Sequence, residues 1–167
     1  TVNSPSEIGL GIEDMNMNFC RLSERLMKIH RGFEYGDEQI MSENASVEDG
    51  EIIIGKMKYK TIIVPDCLTL RQSTVDLLTA FLDQGGTVLS TGELPSRIEG
   101  EENNSIKDLT DRFTPVANEE SALAEALEKA CAPRFSITPG EGDASHVFLH
   151  ERELEDGTVM VFLSNTS

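Results

Sequence analysis

The sequence predicts an α/β fold in which helices cover a parallel sheet, followed by a C-terminal β-hairpin. Helical and strand-like segments alternate through the middle of the chain, and that order produces parallel strands joined by helical crossovers. Short β-branched runs are bounded by proline or glycine, which is typical of buried strands. We therefore assign residues 1–144 to an α/β domain and residues 145–167 to the hairpin.

An amphipathic helix is predicted near the start of the chain. Apolar side chains recur there at alternating spacings of three and four, which places them on one helical face. They are Ile12, Met15, Phe19, Leu22, Leu26 and Ile29. We expect Gly32 to end this helix and the stretch DEQIMSENA to form a short second helix with acids in its first turn.

The next segments carry a turn signal and then a buried strand. Asp49-Gly50 lies between β-branched residues in VEDGEIII, a pattern that predicts a hairpin. The apolar run in KTIIVPD is too short for a helix and is closed by Pro65, so it predicts a buried strand. Thr69 and Gln72 have the spacing of a capping box, which predicts the start of the following helix.

The double glycine in LLTAFLDQGGTVLSTG invites comparison with a dinucleotide-binding turn. Such a turn lies between a strand and the helix after it, where helix N–H groups face phosphate. Gly85-Gly86 instead lies between a helix and the strand after it, where carbonyl groups are exposed. The pair therefore predicts a helix C-cap, with Gly85 in the left-handed conformation, followed by a strand at residues 87–91.

The remainder of the chain predicts weaker elements. Residues 99–108 are polar and are expected to form an exposed loop, and residues 113–116 a weak strand. Asn118 is the expected N-cap of a helix in EESALAEALEKAC. Residues 146–163 contain two strand-like runs around Asp156-Gly157 and predict a half-buried hairpin.

Composition excludes several classes of partner. The 167 residues include 30 acids and 14 bases, a net charge of −16, which argues against binding to nucleic acid or anionic membranes. No apolar run is long enough to span a membrane, and the start lacks a signal-peptide pattern. The sequence does not decide the cellular compartment, and the cytoplasm is slightly favoured over secretion.

The three cysteines are too far apart for a metal or redox pair, and each is expected to be a small core residue.

Candidate ligand-binding residues follow the predicted strands, because ligands of open α/β sheets bind beyond the carboxyl ends of the strands. They are Asp66, Glu93 and Arg97. Cys67 also follows a strand, but no glycine flanks it to form the sharp elbow that a nucleophile needs. We assign no catalytic residue, metal ligand or cofactor, and an ordinary strand-to-helix connection remains the alternative for GELPSR.

A family resemblance extends over about residues 10–98 and 146–167. It rests on the aromatic-Gly-Asp-Glu stretch from Phe33 to Glu38, the IIIG hairpin, Tyr59 before the strand ending at Pro65, and FLDQGG before the next strand. In these features the chain resembles the non-catalytic α/β domain that follows the catalytic barrel in large bacterial glycoside hydrolases similar to α-L-rhamnosidases. That domain is akin to the trimerisation domain of certain β-galactosidases.

The resemblance implies a flavodoxin-like, class I glutamine amidotransferase-like three-layer sandwich without its nucleophile. It also implies that FLHERELEDGTVMVFLSNTS is the opening hairpin of a β-sandwich domain. The implied partners are the barrel and β-sandwich of the same parent chain, its carbohydrate substrate, and further copies in a homo-oligomer. The chain departs from the family at its start, because no strand precedes the first helix. A stand-alone ligand-binding or regulatory domain is the alternative.

Overall fold

The computed structural model describes residues 5–137 and 141–166. The helices are α1 (Pro5–Lys28), α2 (Glu38–Asn44), α3 (Gln72–Asp83), α4 (Ile106–Thr110) and α5 (Glu120–Ala130). The strands are β1 (Ala45–Glu48), β2 (Glu51–Ile54), β3 (Met57–Tyr59), β4 (Thr61–Val64), β5 (Thr69–Leu70), β6 (Thr87–Ser90), β7 (Arg97–Ile98), β8 (Glu101–Glu102), β9 (Thr114–Pro115), β10 (Val147–Glu153) and β11 (Val159–Asn165).

The central sheet is parallel and has the order β4-β6-β9. Successive side chains of a strand point to opposite faces, and both faces of β6 are covered. Val88 belongs to a cluster with Leu78 and Phe81 of α3, whereas Leu89 belongs to a second cluster with residues of α1 and α5. The predicted α/β class with a parallel sheet is therefore confirmed.

Helix α1 supplies Leu22 and Leu26 to the second cluster, as its apolar spacing predicts. Two members of the predicted apolar face, Ile12 and Phe19, are nevertheless exposed. The expectation that Gly32 ends the helix is wrong. His30 takes the left-handed conformation at φ 57°, and the Arg31 amide donates to the Leu26 carbonyl at 2.9 Å. This six-to-one bond closes a Schellman motif two residues before the glycine.

Several local turn signals are confirmed. Asp49 and Gly50 have φ values of 52° and 75° and join β1 to β2 with Glu48 opposite Glu51, as a type I′ hairpin requires. Gly85 has φ 89°, and the Gly86 amide donates to the Phe81 carbonyl at 2.9 Å. The end of α3 is therefore the predicted glycine C-cap.

The predicted N-caps of α3 and α5 are wrong. Thr69 lies in β5, and the first amide of α3, that of Gln72, donates to Glu99 Oε1 at 2.9 Å. Asn118 does not cap α5, because its side-chain amide donates to the Asn18 carbonyl at 3.0 Å. In both places a contact with a distant segment replaces the local cap that the sequence pattern indicates.

The segment 99–108 is only partly the exposed loop that its polarity predicts. Glu101 and Glu102 form a short strand that pairs with β7, and Ile106 begins α4 with its side chain buried against Leu109 and Phe113. The weak strand predicted at 113–116 is confirmed as β9. Burial of two apolar side chains of α4, Ile106 and Leu109, holds this segment against the core.

The C-terminal hairpin pairs β10 with β11 in antiparallel register, with Val147 opposite Asn165 and Glu153 opposite Val159. Its position after the α/β core confirms the predicted C-terminal hairpin. Its burial differs from the prediction, because most of β11 is exposed rather than alternating. The turn has the Gly157 amide donating to the Leu154 carbonyl at 3.0 Å, with Gly157 at φ 81°, which is a type I turn followed by a glycine bulge.

Candidate functional site

The carboxyl ends of the three parallel strands bring together loops from distant parts of the chain. Asp66 follows β4, Glu93 follows β6 and Asn118 follows β9. Helix α1 crosses this edge at Asn18, which contacts both Asp66 and Asn118. This edge is where open α/β sheets place their ligands, so we take it as the candidate site.

Asp66 is the central group of this site. One of its carboxylate oxygens accepts from Asn18 Nδ2 at 3.1 Å, and the other accepts from the Glu93 amide at 3.2 Å. The carboxylate therefore ties α1 to the loop after β6. The Glu93 side chain itself is exposed and contributes only its backbone N–H to this contact.

The side-chain oxygen of Asn118 is a hydrogen-bond acceptor to which no group donates among the described residues. Its Nδ2 donates to the Asn18 carbonyl, whereas its Oδ1 is shielded from solvent and has no hydrogen-bond partner among the described residues. Shielded polar atoms are usually paired, so an unpaired amide oxygen at this edge is unusual. Sequence reasoning assigned Asn118 to a helix cap and had no signal for its contact with α1.

Arg97 is the third candidate residue and lies in a second, three-stranded sheet. It belongs to β7, which pairs with β5 in the parallel sense and with β8 in the antiparallel sense. Its guanidinium Nη2 lies 3.8 Å from Glu102 Oε1. The structure thus brings Asp66 and the Glu93 backbone together and places Arg97 in a separate small sheet.

Gly92 makes the close approach between the two loops possible. Its φ is 92°, and a Cβ built on it would lie 2.9 Å from Asp66 Cβ and 3.0 Å from Asp66 Cγ. We expect Gly92→Ala to lower the free energy of unfolding by about 2 kcal/mol, from backbone strain and contact together.

Gly100→Ala is the matched control for this substitution. Gly100 has φ 83° but nothing within 4 Å of a built Cβ, so it carries the strain without the contact. Urea denaturation of both variants measures the difference. Equal losses of stability would show that the Asp66 contact costs nothing.

Cys67 lies beside Asp66 and is half-buried. Burial, and after it the negative charges of Glu38 and Asp66, raise the pKa of the Cys67 thiol to about 11. A nucleophilic cysteine has the opposite environment, because a positive neighbour or a helix N-terminus must stabilise its thiolate. The geometry therefore favours a structural role for Cys67.

We expect Cys67 to resist alkylation at pH 8. A pKa raised from 9.0 to about 11 leaves on the order of 100-fold less thiolate at that pH, and burial slows attack further. Iodoacetamide labelling followed by peptide mass analysis measures this, with the exposed Cys20 as the internal comparison. Labelling of Cys67 ahead of Cys20 would contradict the structural role.

The exposure of Cys20 corrects the expectation that all three cysteines lie in the core.

The C-terminal hairpin presents the second notable surface. Four consecutive side chains of β11 are exposed by 40 to 63%, namely Met160, Val161, Phe162 and Leu163. Because neighbours in a strand point to opposite faces, both faces of β11 are apolar and open. We call this surface the β11 strip. A large apolar group in water at four successive positions is typical of a contact surface.

The hairpin meets the α/β core through a shallow groove of about 370 Å³. Met27 and Phe33 line the core side of this groove, and Phe148 and Leu149 of β10 line the other. His30 Nε2 also lies 3.1 Å from the Ala144 carbonyl, just before the hairpin. The base of β10 is thus anchored on the end of α1, whereas the β11 strip lies away from the core.

Among the described residues, no helix is both long enough and apolar enough to cross a membrane. Within the same residues, no cluster of three or more His, Cys, Asp or Glu side chains has the arrangement of a metal site. Comparison with protein-family models, with curated proteins and with solved structures gives no match to this chain.

Proposed function

We propose that this chain is a non-catalytic accessory domain of a multidomain glycoside hydrolase, with a flavodoxin-like layout, that acts by contact with other protein domains. The observation that carries the contact function is the β11 strip, whose four apolar side chains remain open to solvent. The family assignment rests on the sequence resemblance. In that setting the domain packs beside the catalytic barrel or supports oligomerisation.

The carboxyl edge supports a structural rather than a catalytic role. Both carboxylate oxygens of Asp66 accept hydrogen bonds from the protein, so the group holds loops together. A glycosidase needs two carboxyl groups facing each other across a substrate, one of which is protonated. At this edge the Glu93 side chain is exposed and Asp66 is tied to α1, an arrangement that does not form such a pair.

The test is an activity measurement on the purified chain. We expect no turnover of an aryl α-L-rhamnoside or an aryl β-D-galactoside. Asp66→Asn is the diagnostic variant, and Glu102→Gln is a control carboxylate that is exposed in another sheet. Turnover that is lost in Asp66→Asn and retained in Glu102→Gln would overturn the proposal.

A second candidate is favoured by the unpaired Asn118 Oδ1 at the carboxyl edge. A stand-alone ligand-binding domain would use such an acceptor for a donor group of a small molecule, next to the loops of Asp66 and Gly92 to Arg97. Calorimetric titration with L-rhamnose and with D-galactose tests it. Saturable binding that Asn118→Leu abolishes, with the fold retained, would favour this candidate over the accessory role.

A further inference from the structure

We propose that β11 pairs with β11 of a second copy of this chain, in antiparallel register centred on Val161, to give a continuous four-stranded sheet. The inference rests on the proposed contact function and names its partner. Within the described residues, β11 pairs only with β10 and its other edge is open. A two-stranded ribbon is marginal in water, and additional strands stabilise it.

The hydrogen bonds at the two ends of the hairpin show which backbone groups face the open edge. The Leu154 amide donates to the Thr158 carbonyl at 2.8 Å, and the Thr166 amide donates to the His146 carbonyl at 3.1 Å. In an antiparallel ladder the bonded residues alternate. The even-numbered residues of β11 therefore turn their backbone toward β10, and Val159, Val161 and Leu163 turn theirs outward.

The sequence of β11 is complementary to itself about Val161. Antiparallel pairing there places Val161 opposite Val161 of the second copy, and Val159 opposite Leu163. These three bonded pairs supply about six backbone hydrogen bonds. Between them Met160 comes opposite Phe162, and a thioether beside an aromatic ring is a favourable contact. The five facing pairs formed by residues 159–163 of the two copies are all apolar.

The distribution of charge also favours β11 as the strand through which two copies associate. The chain carries a net charge of −16, so two copies repel one another over most of their surfaces. Residues 157–166 contain no charged side chain, and β11 can approach its counterpart without opposing like charges. Natural edge strands are usually protected by lysine, proline or a bulge, and β11 has none of these. Added salt screens the repulsion and is expected to strengthen association.

Disulfide trapping tests the register. In a Cys20→Ser background, Val161→Cys places two thiols in a bonded pair, where Cα atoms are about 5.5 Å apart and within disulfide range. Val159→Cys is the matched control, because the two introduced residues lie about 14 Å apart along the strands. We expect rapid covalent dimerisation of the first variant only. Equal trapping of both variants, or of neither, would overturn the register.

Sedimentation velocity tests the association itself. The 18.4 kDa chain is expected to reach twice that mass as its concentration rises. Val161→Pro removes one outward N–H and keeps the β10 ladder, since proline is tolerated on an edge strand, so we expect a monomer. Val161→Thr keeps the N–H and is expected to dimerise. A wild-type monomer at every concentration and salt level would refute pairing with a second copy, whereas only substrate turnover refutes the non-catalytic role.

Discussion

Gly86→Ala is expected to destabilise the fold more than any other single added methyl group near the end of α3. A Cβ on Gly86 would lie 2.5 Å from Phe81 Cζ and closer still to two other atoms of the same ring. Phe81 has 0% exposure and is surrounded by the first hydrophobic cluster, so the ring has no free space to enter. Overpacking of this kind costs about 3 kcal/mol, or roughly 6 to 12 °C in melting temperature for a domain of this size.

Gly85→Ala is the control for the same turn. Gly85 has φ 89° with nothing within 4 Å of a built Cβ, so its substitution adds strain of about 1 kcal/mol and no contact. Phe81→Leu provides a second check, because a smaller side chain relieves the overlap and restores part of the stability of Gly86→Ala. A melting temperature of Gly86→Ala equal to that of Gly85→Ala would contradict the predicted contact.

Removal of residues 145–167 is expected to abolish self-association and to leave a folded core. Neither hydrophobic cluster contains a residue beyond Cys131 among the described positions. The hairpin rests on the core mainly through Phe148 and Leu149 in the groove beside α1. We therefore expect a cooperative thermal transition within about 8 °C of the full chain, since loss of such a contact costs on the order of 1 to 2 kcal/mol.

Leu123→Ala in the full-length chain is the comparison for this deletion. Leu123 is fully buried in the second cluster, and its truncation is expected to cost about 2 to 5 kcal/mol. The deletion should therefore be milder than this single core substitution. Loss of the cooperative transition on deletion would place the hairpin within the core and would contradict the domain boundary predicted at residue 144.

The sequence was most informative where local chemistry alone decides the conformation. Asp49-Gly50 and Gly85 both need positive φ, and both were predicted from residue type and position. The short runs of β4 and β6 were predicted because β-branched segments of that length suit a buried strand. Asp66 and Glu93 were both predicted to follow the carboxyl ends of strands, and both do.

Features that depend on distant contacts were not predictable. Glu99 accepts a hydrogen bond from the first amide of α3, although the two residues are 27 positions apart. No local sequence pattern predicts this bond. Asn18 reaches Asp66 only because α1 crosses the carboxyl edge of the sheet. Arg97 looked like a neighbour of Glu93 in sequence, but it lies in β7, which pairs with β5 in a second sheet. Closeness in sequence therefore does not predict closeness in space when two residues belong to different sheets.

The exposure of the β11 strip was also not predictable from local sequence. The alternation of residues 146–163 predicted a half-buried strand pair. In the structure β11 is open on both faces, and its four apolar side chains are consistent with a strand that is buried by a partner. The alternation of apolar residues indicated that a strand forms, but it carried no information about which surface buries that strand.

Amide hydrogen exchange of β11, measured residue by residue at low and high protein concentration, is the most direct test of the contact function. Pairing is expected to slow exchange at Val159, Val161 and Leu163 by about tenfold or more when the dimer predominates. The amides of Met160 and Phe162 face β10 and should show much less dependence on concentration. Exchange at Val161 that is equally fast at every concentration would contradict the account.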